Sequence, residues 1–279
     1  MINNAMTVDV EDYFQVSALA PYIPRESWDA QPCRIERNID RILALFDQQG
    51  VKATFFTLGW LAERYPQMVR RLVADGHELA SHGYAHRRVT DQTPAEFRDD
   101  ITTAKHILED ISGVQVQGYR APSFSICEKN LWAMDVLGEA GYSYSSSIYP
   151  VRHDHYGMPD APRFAFRPCG SNGVLELPAT TLAFFGRNLP AAGGGYFRLI
   201  PYALSRLLMR QVNDKDAQPC IFYFHPWEID PGQPRQRRIG LKARFRHYVN
   251  LETMEHKLAA LLKDFRWDRM DRVFMERPD

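Results

Sequence analysis

The sequence predicts an α/β fold, a distorted (β/α) barrel of about seven parallel strands with an elaborated C-terminal third. Two observations predict this fold. Short β-branched or apolar runs alternate with segments of helical periodicity, which is typical of a parallel sheet covered by helices. The chain has 279 residues, and this length fits about seven strand–helix repeats better as a barrel than as an open sheet. Length alone would also allow two small domains. Because the sequence shows no clear linker, we predict one domain over residues 1–279.

The first half of the chain, residues 1–150, contains the predicted core of this domain. Its strands are residues 5–12, 51–59, 77–83, 114–120 and 142–149. Its helices are residues 34–50, 64–76, 93–113 and 129–141. The first helix should end at Gly50, because its apolar residues recur at helical spacing up to that glycine. The third helix begins with a capping box, Thr93 and Glu96, and Gly113 follows its end.

The second half, residues 151–279, is less regular in sequence. Prolines and a glycine-rich stretch, residues 191–197, predict long loops up to about residue 200. The glycine-rich stretch lacks the Gly-Lys-Ser/Thr end of a phosphate-binding loop, so we interpret it as a flexible lip over the active site. A helix over residues 201–214, a buried strand over 219–227 and a last helix over 251–265 follow.

Composition and charge exclude several classes of protein. The 34 basic and 34 acidic residues cancel, which disfavours a nucleic-acid binder. Four cysteines, at positions 33, 127, 169 and 220, form no Cys-x-x-Cys pattern and suggest neither a thiolate metal site nor a disulfide framework. The sequence has no apolar run of membrane-spanning length and no signal-like N-terminus. We therefore expect a reduced, cytoplasmic protein.

Ionisable residues follow four of the predicted strands. The four groups are Asp9, Glu11 and Asp12, then His82 and His86, then Arg120, and last His225 and Glu228. The working residues of such a barrel lie at the C-terminal ends of its strands. We therefore expect these side chains to meet at one edge of the sheet.

These residue types together indicate a metal-assisted hydrolase. Two imidazoles and one carboxylate make a three-ligand site that leaves positions open for water and substrate. Such a metal lowers the pKa of bound water and polarises a carbonyl group. A second carboxylate can take the proton of the water, and a histidine opposite can protonate a leaving amine or alcohol. A neighbouring arginine, here Arg120, would keep the base ionised.

Four segments in this order, TVDVEDYF, SHGYAH, YRAPSFS and FHPWEID, resemble the successive motifs of the NodB-homology polysaccharide deacetylases, carbohydrate esterase family 4. The nearest branch is the one associated with exosortase-linked exopolysaccharide gene clusters. The resemblance covers nearly the whole chain. It implies a distorted (β/α) barrel and removal of N-acetyl groups from a glycan. It also implies a divalent metal of the Zn²⁺ type, with Co²⁺, Ni²⁺ and Mn²⁺ as alternatives.

The resemblance implies a role for each matched residue. Asp9 matches the general base, and His82 and His86 match the two metal-binding histidines. Arg120 matches the arginine that steadies the base, and His225 matches the general acid. The family also uses a backbone N–H after the arginine motif to stabilise the oxyanion, which falls near Ser123 or Phe124 in this sequence.

Two departures from the family pattern leave alternatives open. Val10 follows Asp9 where the family has a second aspartate, so the third metal ligand is Glu11 or Asp12. Alternate side chains of a strand share a face, and this alternation favours Glu11. The segment YSYSSS carries serines where many relatives have an acidic residue, so the hydrogen bonding expected from that segment is in doubt.

Other residues are candidates for contact with the substrate or a surface. Tyr13 and Trp227 stand beside catalytic candidates and could line a sugar-binding groove. His153 and His155 could approach a substrate from a loop, although solvated loop histidines are the more common case. Residues 234–248 contain six Lys or Arg and no acid. We hypothesise that this patch, chiefly residues 235–246, contacts an anionic glycan, a lipid diphosphate carrier or the membrane surface.

The sequence thus predicts a cytoplasmic, metal-dependent N-deacetylase of exopolysaccharide biosynthesis, peripheral to the inner face of the membrane through its basic patch. Its partner would be an N-acetylated glycan, lipid-linked or anionic, and not a nucleic acid. Two other readings stay open. One is a related hydrolase that acts on a small cyclic amide or imide. The other is a non-catalytic glycan-binding protein with a relic site.

Overall fold

The computed structural model describes residues 2–152, 157–168, 173–236 and 238–275. His153, His155, Cys169 and Arg237 therefore lie outside the described residues. Within the described part, helices long and apolar enough to cross a membrane are absent. The sheet and the helices around it draw on both halves of the sequence.

Parallel strands form the main sheet, and seven of them curl into a half-barrel surrounded by helices, which confirms the predicted fold class. The strands in chain order are β1 (Asn3–Val10), β2 (Thr54–Thr57), β3 (Glu78–Ser81), β4 (Gly118–Tyr119), β5 (Tyr144–Ser145), β6 (Leu175–Glu176), β7 (Thr181–Phe184), β8 (Arg187–Pro190), β9 (Ile221–Phe224) and β10 (Arg266–Asp268). Strands β7 and β8 form a separate antiparallel hairpin.

Strand β1 is the centre of the sheet. Thr7 is aligned with Thr54 of β2 and with Tyr223 of β9, so these two strands flank β1 on opposite sides. The short strand β10 pairs with the start of β1. Every residue of β1 after Asn3 is buried, as expected of a strand covered on both faces of a parallel sheet. Residues that directly follow β1 therefore emerge at the middle of the sheet edge.

The helices in chain order are α1 (Ile35–Gln49), α2 (Gly59–Arg64), α3 (Pro66–Ala74), α4 (Pro94–Ser112), α5 (Trp132–Glu139), α6 (Gly194–Leu199), α7 (Tyr202–Lys215), α8 (Leu241–Tyr248) and α9 (Leu251–Asp264). Helices α1 and α4 begin and end where their sequence signals predict. Gly50 ends α1 with a left-handed φ of 63°. Thr93 and Glu96 form the capping box of α4, and Gly113 ends it with φ 71°. Local cap chemistry is sufficient at these ends because the bonds involve neighbouring residues.

The glycine-rich stretch is not a flexible lip, and this interpretation is corrected. Residues from Gly194 onward form helix α6, and the preceding Ala191 and Ala192 are buried. The loops expected up to residue 200 also contain β6 and the β7–β8 hairpin. Glycine is a poor helix former, so local propensity predicts a loop here. Packing of this segment against β9 and the turn after it overrides that propensity.

Candidate active site

The ends of four parallel strands bring the predicted residues to one edge of the sheet. Asp9 lies at the end of β1 and Glu11 just after it, while the two histidines, His82 and His86, follow β3. Arg120 follows β4 and His225 follows β9. All of these side chains except that of His225 are almost fully buried. Parallel strand direction places them together, because each residue lies at or just after the C-terminal end of its strand.

Glu11, His82 and His86 form a cluster with the composition of a metal site. One ligand atom from each lies within 4.8 Å of the others. The Oε2 atom of Glu11 is 3.2 Å from Nε2 of His86, and it is buried with no hydrogen-bond partner in the described part of the chain. A buried carboxylate oxygen rarely stays unpaired. The cluster therefore fits a divalent cation, which takes two imidazoles and one carboxylate readily.

The loop after β3 fixes the orientation of the two histidines. The Nδ1 atom of His82 lies 2.8 Å from the carbonyl oxygen of Arg120, which leaves Nε2 as the nitrogen available to a cation. His86 has a left-handed φ of 52°, and Gly83 in the same loop has φ 74°. A non-glycine residue in this conformation carries backbone strain, which concentrates at functional sites.

The charges of the cluster suit metal binding. Burial lowers the pKa of His86 to about 4, and burial also lowers the pKa of His82. Burial alone would raise the pKa of Glu11, but the nearby imidazoles of His86 and His225 lower it to about 2. The two histidines are therefore neutral and the carboxylate is ionised near neutral pH, which is the protonation state that metal ligands need.

Asp9 is held by Arg120 beside the cluster. The guanidinium donates to Oδ1 of Asp9 at 2.6 Å and to Oγ1 of Thr7 at 2.8 Å. It also donates to Oγ of Ser146 at 3.0 Å and to the carbonyl of the same residue. The other carboxylate oxygen of Asp9, Oδ2, lies 3.9 Å from Nε2 of His225. Arg120 thus orients one oxygen of Asp9 and leaves the other directed to the site.

His225 lies between two carboxylates. Its Nε2 atom is 3.0 Å from Oε1 of Glu11, and its Nδ1 atom is 3.1 Å from Oε2 of Glu228. The same Glu228 oxygen accepts from the backbone N–H of His225 at 2.9 Å. Burial would lower the pKa of His225, but Glu11 and Glu228 raise it well above its usual value. His225 is therefore placed to carry a proton.

Arg198 is a site residue that the sequence did not reveal. Its Nε donates to Oε1 of Glu228 at 2.7 Å, and the ion pair is almost fully buried. Helix α6 places this arginine near Glu228 by close backbone approach. A Cβ atom on Gly194 would lie 1.8 Å from Oε2 of Glu228, and one on Gly193 would lie 2.4 Å from the Tyr223 ring. Only a glycine fits at these positions.

Glu228 lies three residues after His225, and this spacing is a local sequence signal. No sequence pattern links Arg198 to His225 or to Glu228, because the arginine is about thirty residues away in the chain.

Asp12 points away from the cluster. It accepts hydrogen bonds from the backbone N–H groups of Tyr13, at 2.7 Å, and Arg34. Glu11, by contrast, reaches His86. The backbone explains the difference, because Glu11 N–H donates to the carbonyl of Asp9 at 2.9 Å and turns the chain just after β1.

Tyr13 and Trp227 do not line a groove, which corrects the sequence-based expectation of substrate stacking. Tyr13 has no exposed surface and packs in the core. The Trp227 ring is stacked between His225, with ring centroids 5.3 Å apart, and His247, at 4.3 Å. Large rings gain most of their stabilisation from burial. Both rings are buried, and that of Trp227 lies against His225.

The turn after Arg120 has an unusual backbone. Ser123 and Phe124 have left-handed φ values of 56° and 49°. The Phe124 N–H donates to the Ala121 carbonyl at 3.0 Å, so of the two N–H groups that the sequence indicated, that of Ser123 is the better candidate for an oxyanion. The Ser123 hydroxyl is 2.6 Å from that of Ser17.

Two protein-family models match adjacent parts of the chain. Residues 27–144 match the family described as polysaccharide deacetylase. Residues 146–275 match a domain of unknown function, DUF3473.

Curated relatives match part of the chain. A peptidoglycan-N-acetylglucosamine deacetylase of Bacillus cereus is 35% identical over 96 residues, which is 34% of this chain and 35% of the relative. A chitooligosaccharide deacetylase of a Bradyrhizobium species is 28% identical over 108 residues, which is 39% of this chain and 47% of the relative. The match therefore spans less than half the length of either relative.

Solved structures share the fold along the whole chain. A polysaccharide deacetylase candidate from Mycobacterium smegmatis has a TM-score of 0.62 at 18% identity, and the match covers 99% of this chain and 95% of that one. A peptidoglycan deacetylase of Bacillus subtilis has a TM-score of 0.50 at 13% identity, covering 98% and 89%. At these identities the similarity shows the fold.

Proposed function

Since this chain belongs to the polysaccharide deacetylase family, with a DUF3473 domain as its second half, we propose that it is a metal-dependent hydrolase that removes N-acetyl groups from a glycan. One observation carries the proposal. The cluster of Glu11, His82 and His86 lies directly beside the Asp9–Arg120 ion pair and His225. This arrangement supplies metal ligands, a base and an acid at one edge of the sheet.

Glu11, His82 and His86 would hold the metal. The unpaired Oε2 of Glu11 and the Nε2 of His82 offer donors of the right chemical type. A bound divalent cation supplies Lewis acidity, which polarises the acetamide carbonyl and makes water more acidic. A set of two imidazoles and one carboxylate accepts several first-row metals. We propose Zn²⁺, with Co²⁺, Ni²⁺ and Mn²⁺ as alternatives.

Asp9 and His225 move the protons of the reaction. Asp9 takes a proton from the water that attacks the acetamide carbonyl, because Arg120 keeps this carboxylate oriented. The Ser123 N–H donates to the oxyanion that forms. His225 then donates its proton to the nitrogen as the carbon–nitrogen bond breaks. The products are acetate and a free amino sugar.

Glu228 and Arg198 are positioning residues for His225. Glu228 accepts from both the ring and the backbone of His225, while Arg198 holds the second oxygen of Glu228. A carboxylate bonded to Nδ1 fixes the tautomer and the direction of a histidine ring. The YSYSSS segment carries serines where many relatives have an acidic residue, and Glu228 supplies a carboxylate beside His225.

The direct test is acetate release from a panel of N-acetylated glycans, such as chitooligosaccharides and peptidoglycan fragments. Each is assayed with the purified protein, with chelator, and with chelator followed by Zn²⁺, Co²⁺, Ni²⁺ or Mn²⁺. We expect release that chelator abolishes and a metal restores. Release that is indifferent to chelator would exclude metal dependence. If no glycan releases acetate but a cyclic imide is opened, the substrate assignment is wrong. A protein that binds glycans without any turnover would be a relic.

The setting of the reaction is also part of the proposal. The resemblance to the exosortase-linked branch supports a role in exopolysaccharide biosynthesis, with a cytoplasmic location. The basic patch, residues 235–246, supports a substrate that is anionic or lipid-linked. It also supports peripheral contact of the protein with the membrane surface. Acetate release from a lipid-linked glycan faster than from the same free glycan is the expected result. Equal rates on the two would exclude a preference for the lipid-linked form.

A further inference from the structure

Helix α8 exposes two large apolar side chains on one face. Leu241 is 85% exposed and Phe245 is 57% exposed. Residues four apart on a helix are neighbours on its surface, so the two side chains form one apolar ridge. Large apolar side chains are usually withdrawn from water, and such a ridge is typical of a contact surface.

Basic side chains border this ridge on both sides. On a helix of 3.6 residues per turn, Lys242 and Arg246 fall on one flank of the ridge and Arg244 on the other. All three are exposed. Arg235 and Arg238 precede the helix and are exposed as well. The sequence has no acidic residue from position 231 to 251, in a chain with zero net charge. An apolar ridge between basic flanks is the pattern of a helix that lies in a membrane interface.

The helix is fixed to the rest of the molecule at both ends. His247 and Tyr248 are buried, and the Gly240 N–H before the helix donates to the Tyr22 hydroxyl at 3.1 Å. Arg198 donates to the carbonyl oxygens of residues 246, 247 and 249 at 2.7–3.0 Å. The ridge is therefore presented to the outside by a rigid support.

We propose that α8 docks on an anionic phospholipid membrane, with Leu241 and Phe245 entering the headgroup region and the basic side chains contacting lipid phosphates. Positive charge alone would suit any polyanion, but a polyanion offers no apolar layer for the two exposed side chains. The hairpin tip provides a contrast. Phe184 and Phe185 are also exposed, by 53% and 90%, but Arg187 is the only basic residue from position 168 to 197.

The docking helix is connected to the catalytic candidates through Arg198. The same guanidinium binds the end of α8 and Glu228, and Glu228 binds His225. A membrane bound to α8 would therefore lie close to the site, where it can present a glycan attached to lipid. This consequence rests on the proposed deacetylase function, whereas the docking itself does not.

The test is sedimentation of the purified full chain with vesicles of phosphatidylcholine alone or mixed with phosphatidylglycerol. We expect binding only to the mixed vesicles and weakening by salt. The variant Leu241→Ser/Phe245→Ser, which keeps every charge, and the variant Arg238→Glu/Arg244→Glu should each bind at least about tenfold more weakly. The matched control Phe184→Ser/Phe185→Ser should bind as the parent does. Equal thermal unfolding of all variants ensures that loss of binding is local.

Two results would overturn the docking proposal. One is a Leu241→Ser/Phe245→Ser variant that binds mixed vesicles as tightly as the parent. The other is binding of the parent to alginate, an anionic glycan, without binding to vesicles. Acetate release from free chitooligosaccharide is measured in parallel. An active protein that ignores vesicles overturns the docking alone, and a vesicle-binding protein that releases no acetate overturns the deacetylase proposal alone.

Discussion

At the residue scale, the two carboxylates on either side of Val10 in the sequence have different neighbours and therefore different proposed roles. Asp9 is paired with Arg120 at 2.6 Å, whereas Glu11 faces His86 and His225. The positive charge of Arg120 stabilises the ionised form of a base. If Arg120 faced the ligand cluster instead, its charge would repel the metal cation and weaken metal binding. Separation of the two carboxylates by one residue thus keeps the base and the ligand apart.

Replacement of Asp9 by asparagine tests the assigned base. Asparagine keeps the size and one oxygen for Arg120 but cannot take a proton. We expect acetate release to fall by about 10²–10⁴-fold, while the metal content measured by elemental analysis stays at the parental level. Turnover at the parental rate would show that Asp9 is not the base. Loss of the metal together with turnover would instead place Asp9 among the ligands.

The identity of the third ligand is tested by a pair of neighbouring variants. Loss of a hydrogen-bonding partner of a metal ligand lowers metal affinity by about 10–100-fold. Glu11→Gln removes a ligand itself, so we expect a larger loss of metal affinity. Asp12→Asn should leave the affinity unchanged and lower the free energy of unfolding by about 1 kcal/mol or more, because Asp12 accepts from two backbone N–H groups. Competition with a metal-binding dye and urea unfolding measure the two quantities. The opposite pattern would make Asp12 the ligand.

At the scale of elements, α6 shows how a helix with poor propensity becomes part of the site. Its first residue, Gly194, is a glycine because Glu228 occupies the space of a side chain there. The helix then supplies Arg198 to the same glutamate. Local preference and tertiary packing disagree in this segment, and such disagreement is expected where function sets the sequence.

Two alanine variants of α6 test this arrangement. A Cβ at Gly194 would lie 1.8 Å from Glu228, whereas a Cβ at Gly195 would have no atom within 4 Å. Gly194→Ala should displace Glu228 and lower turnover by about 10–100-fold. Gly195→Ala should keep full turnover and raise the free energy of unfolding by up to about 1 kcal/mol. Equal turnover in both variants would show that the contact between α6 and Glu228 does not support catalysis.

Other elements differ in how far the sequence predicts them. Helices α1 and α4 carry long apolar periodicity and their own caps, and both were predicted with nearly correct ends. The helix α8 and the strand β10 were not predicted. The exposed ridge of α8 breaks the usual amphipathic pattern, and β10 has only three residues, whose conformation depends on pairing with β1.

At the scale of the whole molecule, the half-barrel also buries carboxylates that the proposed reaction does not use. Glu176 of β6 has no exposed surface, and its Oε1 accepts from the N–H groups of Ser147 and Ile148 at 2.8 Å. Burial raises its pKa to about 7 from the usual 4.5. The folded state therefore binds a proton that the unfolded state releases between about pH 4.5 and 7. The protonated Glu176 carboxyl therefore contributes fully to the free energy of unfolding below about pH 4.5, and this contribution is lost as the pH rises to about 7.

Glu176→Gln should remove this part of the pH dependence. The amide oxygen can accept the same two hydrogen bonds, and the side chain stays neutral at every pH. Between about pH 5 and 8 the parent should lose up to about 3 kcal/mol of unfolding free energy relative to the variant. Urea unfolding of both proteins in the same metal-free buffer measures this difference. Burial also raises the pKa of Glu78 to about 7, but Glu78 is present in both proteins, so its effect cancels in the comparison. Parallel curves for the two proteins would contradict a protonated Glu176.

The sequence by itself determined the fold class and the groups of ionisable residues at four strand ends. Both follow from periodicity and from the rule that parallel strands end at one edge, and neither needs knowledge of distant contacts. Only the tertiary structure decided that Glu11 rather than Asp12 faces His86, that Tyr13 and Trp227 are buried, and that Arg198 holds Glu228. These outcomes depend on a backbone turn and on packing between segments far apart in the chain, whose free energies are not encoded in any short stretch of residues.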